Sequence, residues 1–186
     1  MSTRGSYGFI YKNTPILMFN HYDSYPGGSG VYILEFIKKV NIGCGWDKIK
    51  ESVSSMSTIE DDYGNFEIGI EDFLSRLYNG KIKNTNTDSE FIKDSLFCEY
   101  AYIINLDSMK LEFYNGFQKK PQIGNRFGVE LKKGYYPCRL VYVFDLYADI
   151  YGVDQKMIKI SENDVDDPSV SKYFRKKKLE KIYNWK

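Results

Sequence analysis

The short glycine-rich turn Pro26–Gly30 restricts the fold of this chain more than any other segment, because it separates two different patterns of hydrophobic residues. Before it, Ser6–Tyr11 and Pro15–Asn20 are rich in aromatic, aliphatic and β-branched residues, as strands are. After it, apolar residues recur every three or four positions over Gly30–Val40, the spacing of a helix with one buried face. The sequence therefore predicts an N-terminal hairpin that leads through this turn into a first helix.

The rest of the chain adds further helices and then further strands. The predicted helices are Trp46–Met56, Ile70–Tyr78, a turn or two within 88–96, and a C-terminal helix over 169–186. The predicted strands are Glu99–Leu106, Leu111–Tyr114 and Tyr135–Leu146, and the predicted irregular segments are a mobile loop at 79–87 and an acidic loop at 161–168. Strands near both ends with helices between them predict one α+β domain over 1–186, an antiparallel sheet built from hairpins with helices packed on it.

Composition excludes several classes of protein. The 186 residues include 26 basic and 25 acidic side chains, a net charge of +1, so no overall field attracts the chain to nucleic acid or to a membrane surface. Three widely spaced cysteines favour neither a disulfide framework nor a zinc site, and they indicate a reducing cytoplasm. The single histidine excludes metal sites that need two or three imidazoles. We expect a soluble intracellular protein without a metal, a cofactor or a membrane anchor.

The segment Asn20–Gly30 concentrates the residues best suited to hold or transform a ligand. A helix start leaves main-chain amides unpaired, so Gly27–Gly30 predict a phosphate or carboxylate site, or else a plain turn in which Ser29 caps the helix. His21 is the only imidazole, and strand alternation places it on the same face as Asp23. The pair predicts a general base if the site is catalytic, and a structural histidine otherwise.

Side chains close by in the sequence supply the groups that a nucleotide-like ligand needs. Phosphate requires cations or amides, the base requires aromatic faces, and sugar hydroxyls require Asp or Asn. Arg126, in a loop bounded by glycines, is either a second phosphate clamp or an ordinary surface arginine. The residues predicted to bind the ligand are Arg4, Asn20, His21, Tyr22, Asp23, Tyr25, Gly27, Gly28, Ser29, Gly30 and Arg126.

The basic run Arg175–Lys178, followed by Lys181, lies in the predicted C-terminal helix close to Asp166, Asp167 and Glu180. Because these acidic residues and the balanced net charge offset it, the run favours a solvated helix face. A nucleic-acid-binding surface is the less favoured interpretation.

The start of the chain resembles a known class of enzymes. Removal of Met1 would leave Ser2 with a free α-amine beside its hydroxyl, the pairing that N-terminal nucleophile enzymes use. Ser2-Thr3-Arg4, two strands joined by a short turn, and Asn20-x-x-Asp23 resemble the N-terminal nucleophile hydrolases of the choloylglycine hydrolase type over residues 1–23. The resemblance implies an amide hydrolase with Ser2 as nucleophile, although that family typically begins with Cys-Thr and tends to have an arginine near the position of His21.

A second resemblance covers more of the chain. Ser2-Thr3-Arg4-Gly5, the segment Asn20–Gly30, and the hairpin from Cys98–Tyr102 to Tyr114–Phe117 are similar to a group of small proteins common in bacteriophages and mobile elements. The resemblance implies a phage protein in the cytoplasm of the infected cell that sequesters a nucleotide-derived defence signal. It leaves open a homo-oligomer, and also an enzyme that cleaves the same signal with His21 as base.

Overall fold

The structure, a computed structural model, describes residues 3–60 and 69–183. Within these ranges the chain forms two sheets and five α-helices. The strands are β1 (Gly5–Tyr11), β2 (Thr14–Asn20), β3 (Ser57–Glu60), β4 (Asn84–Thr87), β5 (Tyr100–Asn105), β6 (Lys110–Asn115) and β7 (Arg139–Asp145). The helices are α1 (Val31–Ile42), α2 (Gly45–Ser54), α3 (Ile70–Tyr78), α4 (Val153–Asn163) and α5 (Pro168–Tyr183).

The main sheet has five strands in the order β2-β1-β5-β6-β7, and it confirms the predicted α+β class. Both predicted hairpins form: β1 pairs antiparallel with β2, and β5 pairs antiparallel with β6. The two hairpins join through β1 and β5, which are parallel, with Gly5 opposite Tyr100. This parallel pair departs from a purely antiparallel sheet. It is possible because α1, α2 and α3 form the long crossover that parallel neighbours require.

The second sheet consists only of β3 and β4, paired in parallel. The sequence predicted a loop throughout 79–87, and this was wrong for Asn84–Thr87. The stretch Asn-Thr-Asn-Thr lacks any hydrophobic pattern, so only pairing with a distant strand fixes it as extended. The amide of Asp88 then donates to the carbonyl of Leu17 at 2.8 Å, which attaches this segment to the free edge of β2.

Three of the predicted helices occur within two residues of their expected bounds, whereas α4 was missed. Its buried residues Val153, Met157 and Ile160 have ordinary helical spacing. The predicted acidic loop at 161–168 includes the last turn of this helix, which ends where Asp164 adopts a left-handed conformation with φ 49°. Residues 88–96 contain one 3-10 turn, Phe91–Lys93. The predicted last residues of the C-terminal helix, 184–186, lie outside the described residues.

Each face of the main sheet has its own apolar core. On one face, α1, α2, α3 and α4 pack over Phe9, Tyr102 and Phe113. On the other face, α5 and the long loop 117–138 pack over Ile103 and Tyr114. The molecule thus has three layers, with helices on one side of the sheet and a helix with a loop on the other.

Candidate functional site

The chain leaves β2 at Asn20 and enters α1 through a π-helical turn, Pro26–Gly30. The side-chain amide of Asn20 organises this connection, since it donates to the hydroxyls of Ser24 at 2.7 Å and Ser29 at 3.0 Å. The Ser29 hydroxyl in turn donates to the carbonyl of Asp23 at 3.0 Å. Asn20, predicted to bind ligand, therefore holds the connection in shape.

The N-terminal segment runs alongside this connection. The amide of Ser24 donates to the carbonyl of Thr3 at 3.1 Å, which fixes the start of the described chain beside the connection. Ser2, the predicted nucleophile of the hydrolase interpretation, lies outside the described residues.

The glycine-rich turn uses its own amides internally. Gly28 donates to the carbonyl of Tyr25 at 2.9 Å, and Ser29 donates to the carbonyl of Asp23 at 2.8 Å. A Cβ added to Gly28 would lie 2.3 Å from the carbonyl oxygen of Asp23, so this glycine permits close packing. The amides of Gly28 and Ser29 are thus not available to cradle an anion, and Ser29 makes no capping hydrogen bond to α1.

The outer glycines of the turn differ from one another. Gly30 is buried against Tyr102 and Met157, where an added Cβ would lie 3.3 Å from each side chain. Gly27 is exposed, and its nearest side chain is the ring of Tyr25, 3.6 Å from an added Cβ. Only Gly27 therefore offers backbone that a ligand can approach from solvent.

Arg4 shares an aromatic ring with a second cation. The Arg4 guanidinium lies 4.8 Å from the centroid of Phe97, and the Lys133 ammonium lies 4.6 Å from the same centroid. Lys133 also pairs with Asp94 at 3.1 Å. Among the described residues, no carboxylate lies within ion-pairing distance of the Arg4 guanidinium. The Glu99 carboxylate accepts a hydrogen bond from the main-chain amide of Arg4 at 3.2 Å. The carboxylates of Glu99 and Asp94 therefore offset the two cations, and the Arg4 guanidinium is the one of the two that has no ion pair of its own.

His21 lies near enough to the Arg4 guanidinium to be affected by its charge. Its ring packs edge-on against Phe19, with the centroids 4.1 Å apart, and lies 5.8 Å from the ring of Tyr22. Desolvation and the nearby charge of Arg4 lower the pKa of His21 below its ordinary value, so the imidazole is neutral at neutral pH.

Asp23 does not extend the alternation of β2. The strand ends at Asn20, and Asp23 has a left-handed backbone with φ 50°. The alternation that predicted His21 and Asp23 on one face therefore stops before either residue. Asp23 is exposed to solvent, so its carboxylate remains accessible.

Two tyrosine rings of the connection face solvent. Tyr22 is 66% exposed and Tyr25 is 44% exposed. Exposed rings beside cations can stack on a planar base while the cations bind its phosphate. We define the Arg4 corner by the residues that provide these cations and rings: Arg4, His21, Tyr22, Tyr25, Phe97 and Lys133.

Arg126 belongs to a different cluster. Its Nη2 donates to Glu112 Oε1 at 2.7 Å and to the Tyr173 hydroxyl at 3.1 Å. Glu112 is fully buried in β6, and it also accepts from Asn105 at 2.7 Å, from Tyr114 at 2.7 Å and from Tyr173. Arg126 therefore balances a buried carboxylate and attaches α5 to the sheet.

The tyrosines in this cluster act as hydrogen-bond donors. Burial, followed by the charge of Glu112, raises the pKa of both Tyr114 and Tyr173, so both hydroxyls keep their protons. Glu112 was not among the residues predicted to be functional. The available signal was an acidic residue between two apolar residues of a strand, Leu111 and Phe113.

Two further classes of site are absent from the described ranges 3–60 and 69–183. No group of three or more His, Cys, Asp or Glu side chains is arranged to hold a metal ion there. None of the helices in these ranges has the length and hydrophobicity needed to cross a bilayer.

Comparisons of the chain with protein-family models, with curated proteins and with solved structures found no match. The function is therefore inferred from the residues of this chain.

Proposed function

We propose that the Arg4 corner binds a small anionic, nucleotide-like molecule. The observation that carries the proposal is the pair of cations on Phe97, because the Arg4 guanidinium, unlike the Lys133 ammonium, has no ion pair among the described residues. A guanidinium in this state retains its capacity to bind a phosphate through two parallel hydrogen bonds.

The remaining groups of the Arg4 corner suit the other parts of a nucleotide. The exposed rings of Tyr22 and Tyr25 offer stacking faces for a base. The exposed carboxylate of Asp23 can accept hydrogen bonds from sugar hydroxyls. Because the amides of Gly28 and Ser29 are already bonded, side chains provide the anion-binding groups in this proposal.

A protein that holds such a molecule without cleaving it sequesters it. Sequestration of a nucleotide-derived defence signal is the role that the resemblance to bacteriophage proteins implies, and we retain it as part of the proposal. Cyclic dinucleotides and cyclic ADP-ribose isomers are the ligands to test first.

Titration calorimetry of the full chain against these ligands tests the proposal. We expect one of them to bind the wild-type protein, and we expect Arg4→Ala to weaken binding about tenfold or more, since a charged hydrogen bond contributes about 1.5–3 kcal/mol. Lys38→Ala is the matched control, because Lys38 is an exposed lysine on α1, about two turns beyond the connection. A folded wild-type sample that binds none of these ligands would contradict the proposal.

A second function, cleavage of the bound molecule, is favoured by the state of His21. The lowered pKa of His21 leaves a neutral imidazole at neutral pH, as a general base requires. Chromatography of the ligand after incubation with the protein distinguishes the two functions. Intact ligand supports sequestration, and a product that disappears in His21→Gln supports cleavage.

A further inference from the structure

Helix α5 and the loop 117–138 form one continuous layer on the sheet. The loop meets the helix where a Cβ on Gly124 would lie 3.7 Å from the Phe174 ring. The hydrogen bond from Arg126 to Tyr173, at 3.1 Å, joins the same two elements. We call the loop 117–138 together with α5 the basic layer, because both segments have many more basic than acidic residues.

The charge of the chain is distributed very unevenly. Helix α5 has six basic residues and one acidic residue, a net charge of +5. The loop 117–138 has five basic residues and one acidic residue, a net charge of +4. Since the whole chain has a net charge of +1, the remainder has a net charge of −8. Two cations of the loop are balanced by carboxylates outside it, Arg126 by Glu112 and Lys133 by Asp94, so the unbalanced positive charge of the layer lies mainly on α5.

Four basic side chains of α5, Lys172, Arg175, Lys176 and Lys178, are exposed to solvent. Within this set, residues three or four positions apart, such as Lys172 with Lys176 and Arg175 with Lys178, are neighbours on the helix surface. The only acidic residue of α5, Glu180, has a carboxylate 3.9 Å from the Lys176 ammonium, a weak exposed contact.

The acidic residues just before α5 are already paired. Arg139 binds Asp164 at 2.5 Å and Asp166 at 2.8 Å, and Lys156 binds Asp167 at 2.8 Å. The sequence interpretation expected these acidic residues to offset the basic run. Because two of the three share Arg139, they leave one negative charge, which offsets only a small part of the +5 of the helix.

A small cleft opens within the basic layer, between the loop and α5. It is lined by Tyr114, Asn125, Arg126, Tyr173, Phe174 and Lys177. The cleft is too small to hold a ligand, and Arg126 within it is already paired with Glu112. The exposed surface of the basic layer therefore carries the argument.

We propose that the basic layer binds the sugar–phosphate backbone of a nucleic acid strand. A concentration of exposed cations on one helix is the electrostatic signature of such a surface. An anionic membrane is less suited, because a membrane-surface helix needs an apolar stripe, and Leu179 is the only large apolar side chain that the described part of α5 exposes. The loop adds the aromatic Tyr135, over whose ring the Lys119 ammonium lies 3.3 Å from the centroid.

Fluorescence anisotropy with a labelled single-stranded DNA of mixed sequence, about 20 nucleotides long, tests this proposal on the full chain. We expect binding that weakens steeply between about 50 mM and about 200 mM salt. Neutralising Arg175, Lys176 and Lys178 together with alanine, which preserves helix propensity, should weaken binding about tenfold or more and reduce the salt slope by about two.

The matched control neutralises Lys38, Lys48 and Lys159, three exposed lysines on α1, α2 and α4, on the other face of the sheet. Circular dichroism confirms that both triple variants remain folded. The control should bind the DNA within about twofold of wild type, because distant exposed charges are screened.

Three results would overturn the proposal: no DNA binding at low salt, equal weakening by both triple variants, or binding to phosphatidylcholine–phosphatidylserine vesicles without binding to DNA. The triple variant of α5 retains the whole Arg4 corner, so its affinity for a small nucleotide ligand should equal that of wild type. Failure of one proposal is therefore distinguishable from failure of the other.

Discussion

The hydroxyl of Tyr102, in β5, donates a hydrogen bond to the main-chain carbonyl of Ser24 at 2.9 Å. Both residues are buried, each with 1% of its surface exposed. Ser24 also bonds to Thr3, so a single tyrosine in the middle of the sheet connects to the segment on which the Arg4 corner is built. The position of the corner is thus set by the sheet as well as by the turn itself.

Tyr102→Phe should destabilise the protein by about 1–3 kcal/mol, because the buried carbonyl of Ser24 loses its donor. Urea unfolding measures the change, with Tyr147→Phe as the control, since Tyr147 is 67% exposed and its hydroxyl can bond to water. Equal stability of the two variants would show that the Tyr102 bond does not constrain the connection.

Gly28→Ala should cost about 1–3 kcal/mol of stability, because the new methyl group would lie 2.3 Å from the Asp23 carbonyl and the turn would have to move. Gly27→Ala is the matched control one residue away, where the nearest side-chain atom is at an ordinary 3.6 Å. Thermal unfolding of both variants gives the comparison. A Gly28→Ala protein as stable as Gly27→Ala would contradict the close packing described for this turn.

Local pattern accounts for most of the fold. Apolar residues at helical spacing located α1, α2 and α3, and runs of aromatic and β-branched residues located both hairpins. Strand β4 could not be found in this way, because Asn84–Thr87 are extended only through pairing with β3. The parallel pairing of β1 with β5 is likewise a contact between distant segments, which no local pattern encodes.

The sequence predicted the residues of the candidate site less completely than it predicted the helices and strands. Arg4 and His21 were both singled out, and the structure places them close enough for the charge of Arg4 to lower the pKa of His21. Lys133 and Phe97 were missed, because both come from distant parts of the chain and lie in stretches without a recognisable motif. Arg126 was singled out for its loop, but its buried partner Glu112 decides its role.

Glu112→Gln should destabilise the protein by about 3 kcal/mol, since it removes the charge that balances Arg126 and weakens the hydrogen bonds to two tyrosines. This is the lower end of the range for a broken buried pair, because the Arg126 side chain is 23% exposed. Asp72→Asn is the control. It breaks an exposed pair with Arg76 and should cost about 1 kcal/mol or less in the same urea unfolding experiment. Similar losses would mean that the Glu112 cluster contributes little to stability.

His21 should titrate below its ordinary pKa of about 6.5 in the free protein, and Arg4→Ala should raise that pKa toward 6.5. As the only histidine, it gives a single imidazole signal in a proton NMR titration. Because folding favours the neutral form, the contribution of His21 to stability is complete above about pH 6.5 and declines as the pH falls toward the folded pKa. A folded pKa at or above 6.5 would contradict the proximity of His21 to Arg4.

The most direct test of the proposed function is the imidazole signal of His21 recorded with and without the tightest-binding cyclic dinucleotide or cyclic ADP-ribose isomer. We predict that saturation with ligand shifts this signal and raises the pKa of His21, because a phosphate bound at Arg4 stabilises the imidazolium. If a ligand binds by calorimetry while the signal and the pKa of His21 stay unchanged, the ligand lies elsewhere and the Arg4 corner is not its site.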